Sequence, residues 1–177
     1  MAVSNASPLI YLAKINALKF LFKIFSPIYI PEKVFEEITI GKNRFKEEVS
    51  LIEKHIGKEI IVEKLDEEGL VIKNDIKNVV GGLHEGELDV LALAKQERIN
   101  IVLVDDKRAF KAAEFLNLTP VRTTVILLKA LERKIINYET FQKTLRKLIR
   151  EGYWITADIY EDILEQARKY TSQVSKS

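Results

Sequence analysis

Cysteine is absent from the 177 residues, which excludes disulfide frameworks, thiolate metal sites and cysteine nucleophiles. Histidine is scarce: with only His55 and His84, a histidine-rich zinc centre is excluded. Any metal must be held mainly by oxygen, the ligand type that suits Mg²⁺ or Mn²⁺. No apolar stretch approaches the ~20 residues needed to span a bilayer, and the start MAVSNASPL lacks a charged segment followed by an apolar signal core. The expectation is a cytoplasmic protein with no membrane association. A large charge of one sign is missing as well, since a net charge of +2 is not that of a nonspecific nucleic-acid coat. The basic residues are nonetheless uneven: Lys129, Arg133, Lys134, Lys143, Arg146, Lys147 and Arg150 face only Glu132 and Glu139 within the same stretch.

What the chain does contain is 47% hydrophobic and 31% charged residues, a soluble globular composition, in a length that fits one domain of ~100 to 200 residues. Ala2 and Val3 read as a short strand stopping at Ser4 and Asn5. Ser7 as N-cap and Pro8 at the first helical position then open a helix with Leu9, Ile10, Leu12 and Ala13 on it. SPIYI (26–30) reads as a second strand, and Pro31 and Glu32 open a helix carrying Val34, Phe35 and Ile38. The stretch from Gly41 to Gly82 reads as an excursion from the main sheet: a helical pattern at Phe45, Val49, Ile52 and Ile56, then β-rich pieces at Glu59–Leu65 and Leu70–Lys73. A helix over about 85–97 leads into a strand over 99–104. Phe110, Ala113 and Leu116 mark a further helix, Pro120 to Arg122 a strand, and Thr124 to Glu132 a helix. Strands alternating with helices make this an α/β protein with a mostly parallel sheet. Two C-terminal helices follow, with stripes at Phe141, Leu145, Leu148 and Ile149 and at Ile159, Ile163, Ala167 and Tyr170; the tail SQVSKS reads as disordered.

The strand over 99–104 breaks off into two adjacent carboxylates, Asp105 and Asp106. Like charges at the edge of an apolar core repel unless something cationic compensates them. In open parallel sheets ligands bind beyond the carboxyl ends of the strands. There Asn5 follows the first strand, Glu87 stands in the first turn of the helix before Asp105, and Glu36 and Glu37 follow the second strand. If these converge, a divalent cation resolves the repulsion and draws phosphate to the site. Each residue also has a plainer use. Asp105 or Asp106 can cap a helix, Glu87 can answer a helix dipole, Asn5 and Ser7 can build a turn, and Thr123 and Thr124 can cap the next helix. Glu36 and Glu37, ~100° apart on a helix, cannot both face one pocket. Lys143, Arg146, Lys147 and Arg150 form either a solvated amphipathic face or an RNA track. Tyr153 and Trp154 read as packing of the C-terminal helices, with base stacking or a partner interface as the alternatives.

Five segments, VSNASPLIYLAKINAL, YIPEKVFEEI, LHEGELDVLALAKQ, VLVDDKRAFKAAEFLNL and TPVRTTVILLKALERKII, carry a resemblance to PIN domains, in particular to the VapC ribonucleases of prokaryotic toxin-antitoxin systems. The resemblance implies a three-layer α/β/α fold over 1–136, with 41–82 a variable insertion and 137–177 a helical extension packed on the same domain. It implies a metal-dependent endoribonuclease that holds Mg²⁺ or Mn²⁺ through an acidic cluster. Position by position, the first ligand falls on Asn5, the second on Glu37, the third on Glu87 and the last on Asp105 or Asp106. Ser7 matches a small hydroxyl residue, and a hydroxyl at Thr123 or Thr124 can face the site. Asn5 departs from the usual Asp, keeping an oxygen and losing a charge. RNA as substrate, a small antitoxin as partner and a homodimer are further implications. A second reading makes the chain a catalytically weak or inactive PIN module that binds RNA or a partner protein. A phosphoacceptor receiver domain is set aside, because its paired acids would follow the first strand, where Asn5 stands.

Overall fold

The computed structural model describes residues 1–40 and 45–172. The opening of the variable segment at Gly41 and the tail from Gln173, expected to be disordered, lie outside the described residues. The elements are β1 (Ala2–Ser4), α1 (Ala6–Lys14), α2 (Leu18–Phe25), β2 (Ile28–Pro31), α3 (Glu32–Ile40), α4 (Lys46–Glu53), β3 (Ile60–Glu63), α5 (Glu67–Val79), α6 (Glu85–Gln96), β4 (Ile101–Leu103), α7 (Lys107–Phe115), β5 (Thr119–Val121), α8 (Thr123–Glu132), α9 (Tyr138–Arg150) and α10 (Ala157–Ser172). The five strands form one parallel sheet in the order β3-β2-β1-β4-β5. From β1 the chain builds outward to β2 and β3, then crosses back to build β4 and β5 on the other side. Right-handed crossovers running in opposite directions put their helices on opposite faces, which gives the three-layer α/β/α arrangement. No helix among the described residues is long and apolar enough to cross a membrane.

Strands this short hold because both faces are covered. Ala2, Val3, Val102, Leu103 and Val104 are fully buried, and such strands read as unbroken apolar runs. Helix α6 lies against β1, β2 and β4 and is buried along most of its length, through Leu88, Val90, Leu91, Ala92, Leu93 and Ala94.

The stretch from 41 to 82 is corrected in two ways. β3 is the edge strand of the main sheet, paired with β2 from Ile28↔Ile60 to Pro31↔Glu63, so the excursion is smaller than expected. Leu70–Lys73 is helical, part of α5, rather than β-rich. The Asp66 side chain caps that helix by accepting from the Gly69 N–H at 2.8 Å, and Glu67 and Glu68 fill its first turn, a pattern that favours a helix start. A Cβ at Gly69 would meet the end of the Gln96 side chain of α6, so a larger residue there requires that amide to move. The run Leu70-Val71-Ile72 misleads because Leu70 and Val71 face solvent.

α9 and α10 pack against α8. Phe141, Leu145, Leu148, Ile163 and Ala167 join the same apolar core as Val102, while Ile149 and Ile159, expected on those stripes, are exposed. Phe141→Ala should therefore cost about 3–5 kcal/mol and keep a single cooperative transition in urea, followed by circular dichroism. A second transition would mean that the C-terminal helices melt on their own.

Candidate functional site

The topology brings two chain segments together at the centre of the sheet. β1 and β4 are neighbours, with Ser4 opposite Leu103, and the Asn5 N–H donates to the Leu103 carbonyl at 3.0 Å. Asn5 and Asp105 therefore leave the sheet side by side, at the point where strand order reverses, the usual location of a ligand site in such folds. β5 delivers Thr123 to the same edge.

Asn5, not Ser7, is the N-cap of α1: its Oδ1 accepts from the Ala6 N–H at 2.8 Å. Pro8 sits one turn in, where a missing N–H costs nothing. Relieved of capping, the Ser7 hydroxyl turns to Asp105 Oδ2 at 3.5 Å. Asp105 collects more donors. Its Oδ1 accepts from the Thr123 N–H at 2.9 Å and from the Tyr153 hydroxyl at 2.6 Å, and its Oδ2 from the Thr123 hydroxyl at 2.7 Å. Thr123 thus serves the carboxylate, and α8 begins with no side-chain cap. Arg122 donates to the Asp105 carbonyl at 3.4 Å and lays its guanidinium over the Phe110 ring.

Asp106 turns elsewhere. Its Oδ1 accepts from the Arg108 and Ala109 N–H groups at 2.6 and 3.0 Å, capping α7. The adjacent acids are thereby separated in role: one is a helix cap on the exposed side, the other faces the strand ends.

On the opposite rim, Glu37 shares with Asn5, Ala6, Ser7, Ile10, Tyr11, Lys14 and Phe45 a cleft of about 350 Å³. Glu36 points to solvent and pairs with Lys33 at 3.0 Å. The Glu37 carboxylate lies over Gly86 at the start of α6, in space that any Cβ at Gly86 would occupy. Desolvation raises the Glu37 pKa; Lys33 and His84 oppose this, while the negative charges of Glu87 and Asp89 add to it. Glu87 itself is buried, and its Oε2 accepts from the His84 N–H at 2.9 Å, closing the first turn of α6. Asp89 is held by Lys73 at 2.5 Å.

The expected convergence is therefore incomplete. Asn5, Ser7 and Glu37 line one cleft, Asp105 reaches it through Ser7, Glu87 is buried and tied to the helix start, and Asp106 caps α7 instead. Among the described residues, no three acidic or histidine side chains stand close enough together to hold one metal ion. Each of Asn5, Glu87, Asp105 and Asp106 also spends an oxygen on an internal donor. As arranged, these groups do not fit a shared Mg²⁺ or Mn²⁺.

Thr124 is buried beside Thr123. On α9, Lys143 is paired with Glu139 at 2.7 Å, whereas Arg146, Lys147 and Arg150 are exposed. His55, expected on a surface helix, lies just beyond α4, against Phe22 and paired with Glu59 at 2.9 Å.

Tyr153 is the site residue that the sequence reading placed in helix packing. It is buried, its ring meets Tyr11 edge-on at 5.0 Å, and burial followed by the Asp105 charge drives its pKa well above the ordinary tyrosine value. The phenol is thus a permanent donor. No local spacing signals it, because 48 residues separate it from Asp105.

A parallel sheet of this order, with polar side chains gathered at the β1, β4 and β5 ends, defines a three-layer α/β fold with a candidate site at the reversal of strand order. The family model DUF3368, described as a PIN domain, matches residues 1–169, and the chain belongs to the PIN domain family. A search of curated proteins returned no match.

Two outcomes are expected from this geometry. Tyr153→Phe removes one donor from a carboxylate and should cost about 1.5–3 kcal/mol, measured by urea unfolding, with Thr123 keeping Asp105 in place. Glu37 has a folded-state pKa above its ordinary 4.5, so its contribution to stability is complete below pH 4.5 and is lost as pH rises through the folded value. Glu37→Gln should therefore melt higher than the parent at neutral pH and show no gain below pH 4.5; a gain of equal size at both pH values would contradict the assignment.

Proposed function

We propose that this chain is an RNA-binding module of the nuclease-type PIN fold whose hydrolytic centre is weak. The observation that carries this reading is the pair at the β1 and β4 ends. An amide, Asn5, stands where a fourth carboxylate, beside those of Glu37, Glu87 and Asp105, would complete a cation site, and its neighbour Asp105 already satisfies both oxygens with Thr123 and Tyr153. RNA is supported by family membership, by a cleft at the strand-order reversal, and by exposed Arg146, Lys147 and Arg150 on α9, which packs against α1 beside that cleft.

A second reading, a Mg²⁺- or Mn²⁺-dependent endoribonuclease of the VapC type, is favoured by one feature: the Glu37 carboxylate, disfavoured in its charged form first by desolvation, also meets the negative charge of Glu87, a repulsion a cation would relieve. In that reading Asn5, Glu37, Glu87 and Asp105 supply the oxygens, Ser7 and Thr123 support them, and the protein acts as a homodimeric toxin held by a small antitoxin.

Asn5→Asp separates the two. With a weak centre, the substitution should strengthen Mn²⁺ binding about tenfold or more by calorimetry and raise cleavage of a structured RNA from near background. With the second reading, the parent already binds Mn²⁺ and cuts RNA, and Asp105→Asn or Glu87→Gln abolishes cutting while the fold persists. Parent protein that neither retains nor cuts RNA at low salt would refute both.

A further inference from the structure

We propose that Trp154 is a base-stacking platform for unpaired RNA at the rim of the site; the proposal rests on the RNA-binding reading above and names the form of RNA it takes. Trp154 is the only tryptophan in the chain, and it is 82% exposed. An indole facing water forgoes the large gain that burying an aromatic side chain brings, so this ring is held out for a partner or held out at a cost.

Its backbone is not free to choose. The turn that carries it is pinned at three successive residues: the Glu151 carbonyl accepts from Lys14 Nζ at 3.3 Å, the Gly152 carbonyl from the Tyr11 hydroxyl at 3.2 Å, and Tyr153 donates to Asp105 at 2.6 Å. Tyr11 and Lys14 also line the cleft with Asn5 and Glu37. The backbone that carries the indole is thus held one residue from a side chain that touches Asp105, on a segment already ordered before any ligand arrives, which lowers the entropy cost of binding.

The charge around it selects the partner. Arg146, Lys147 and Arg150 occupy the last turns of α9 leading into this segment and are exposed. Glu151 is the acidic residue among them, and Glu139 neutralises only Lys143. A flat exposed aromatic ring on the segment that follows guanidinium and ammonium groups without an ion pair among the described residues fits a strand that presents phosphates and bare base faces. A duplex keeps its bases stacked on one another and offers the ring only an end.

Because there is one tryptophan, its fluorescence reads the contact directly. A short oligouridylate, one copy carrying a dye for anisotropy, is titrated against the whole protein, with a blunt RNA duplex of the same length beside it. The expected result is saturable quenching by the single strand over the range in which anisotropy rises, with no quenching by the duplex. Trp154→Ala should bind the single strand about 5- to 150-fold more weakly, the effect of losing one stacked base, and Trp154→Phe should retain most of the affinity. Rising anisotropy with unchanged fluorescence and equal affinity in Trp154→Ala overturns the platform and leaves the RNA-binding reading standing. Absence of binding by either RNA removes both. An emission shift with protein concentration alone, matched by dimer mass in sedimentation, overturns it in favour of an interface between two copies.

Discussion

A carboxylate at the edge of an apolar core has to be given donors, and Asp105 takes its donors from α1, α8 and the segment after α9. These elements come from the beginning, middle and end of the chain, so the carboxylate ties the fold together where the sheet alone would leave it open. The sheet makes this arrangement achievable. Because β4 returns to pair with β1 after β3 has formed the far edge, the strand ends bearing Asn5 and Asp105 are fixed beside each other by backbone hydrogen bonds. The cap on α1 then decides the rest: with Asn5 accepting from Ala6, Ser7 is released toward Asp105.

Much of this was legible from residue patterns, because it rests on local rules. Short buried strands show as apolar runs at Ala2 and Val3 and at Ile101–Leu103, and α9 shows as a periodic stripe at Phe141, Leu145 and Leu148. The polar residues that end β1 and β4 are conspicuous because the runs before them are so apolar. Misreadings came where local rules compete or where tertiary contact overrides them. At Leu70–Lys73 a β-branched run outweighed the capping pattern at Asp66, and only the exposure of Leu70 and Val71 settles which applies. At the start of α1 both Asn5 and Ser7 are good caps, and the register of β1 against β4 selects Asn5. Tyr153 had no local signature, since its role exists only once the C-terminal segment has docked on α1.

That docking changes what the C-terminal helices are for. α9 carries an ordinary amphipathic face, with Phe141, Leu145 and Leu148 fully buried, and its packing on α8 would be explained by area alone. Its far end does more, because the turn after it delivers a buried phenol to Asp105 and seats two backbone carbonyls on Tyr11 and Lys14. Core packing in the extension thereby sets the geometry of the strand-end carboxylate.

The same hydrogen bonds bear on how strongly this edge can attract a cation. Each donor to Asp105 contributes about 1.5–3 kcal/mol as a bond to a charged group, and three short ones leave the carboxylate well compensated without an ion. An ion bound there has to displace or share those donors while shedding its own water, and it does so against one negative charge where Asp at position 5 would make two. The balance tips only if Glu37, whose ionised form is disfavoured first by desolvation and then by Glu87 and Asp89, gains enough from neutralisation to compensate. The residue at position 5 and the phenol at 153 therefore act in the same direction: one withholds a charge from the cleft, and the other satisfies the charge that remains.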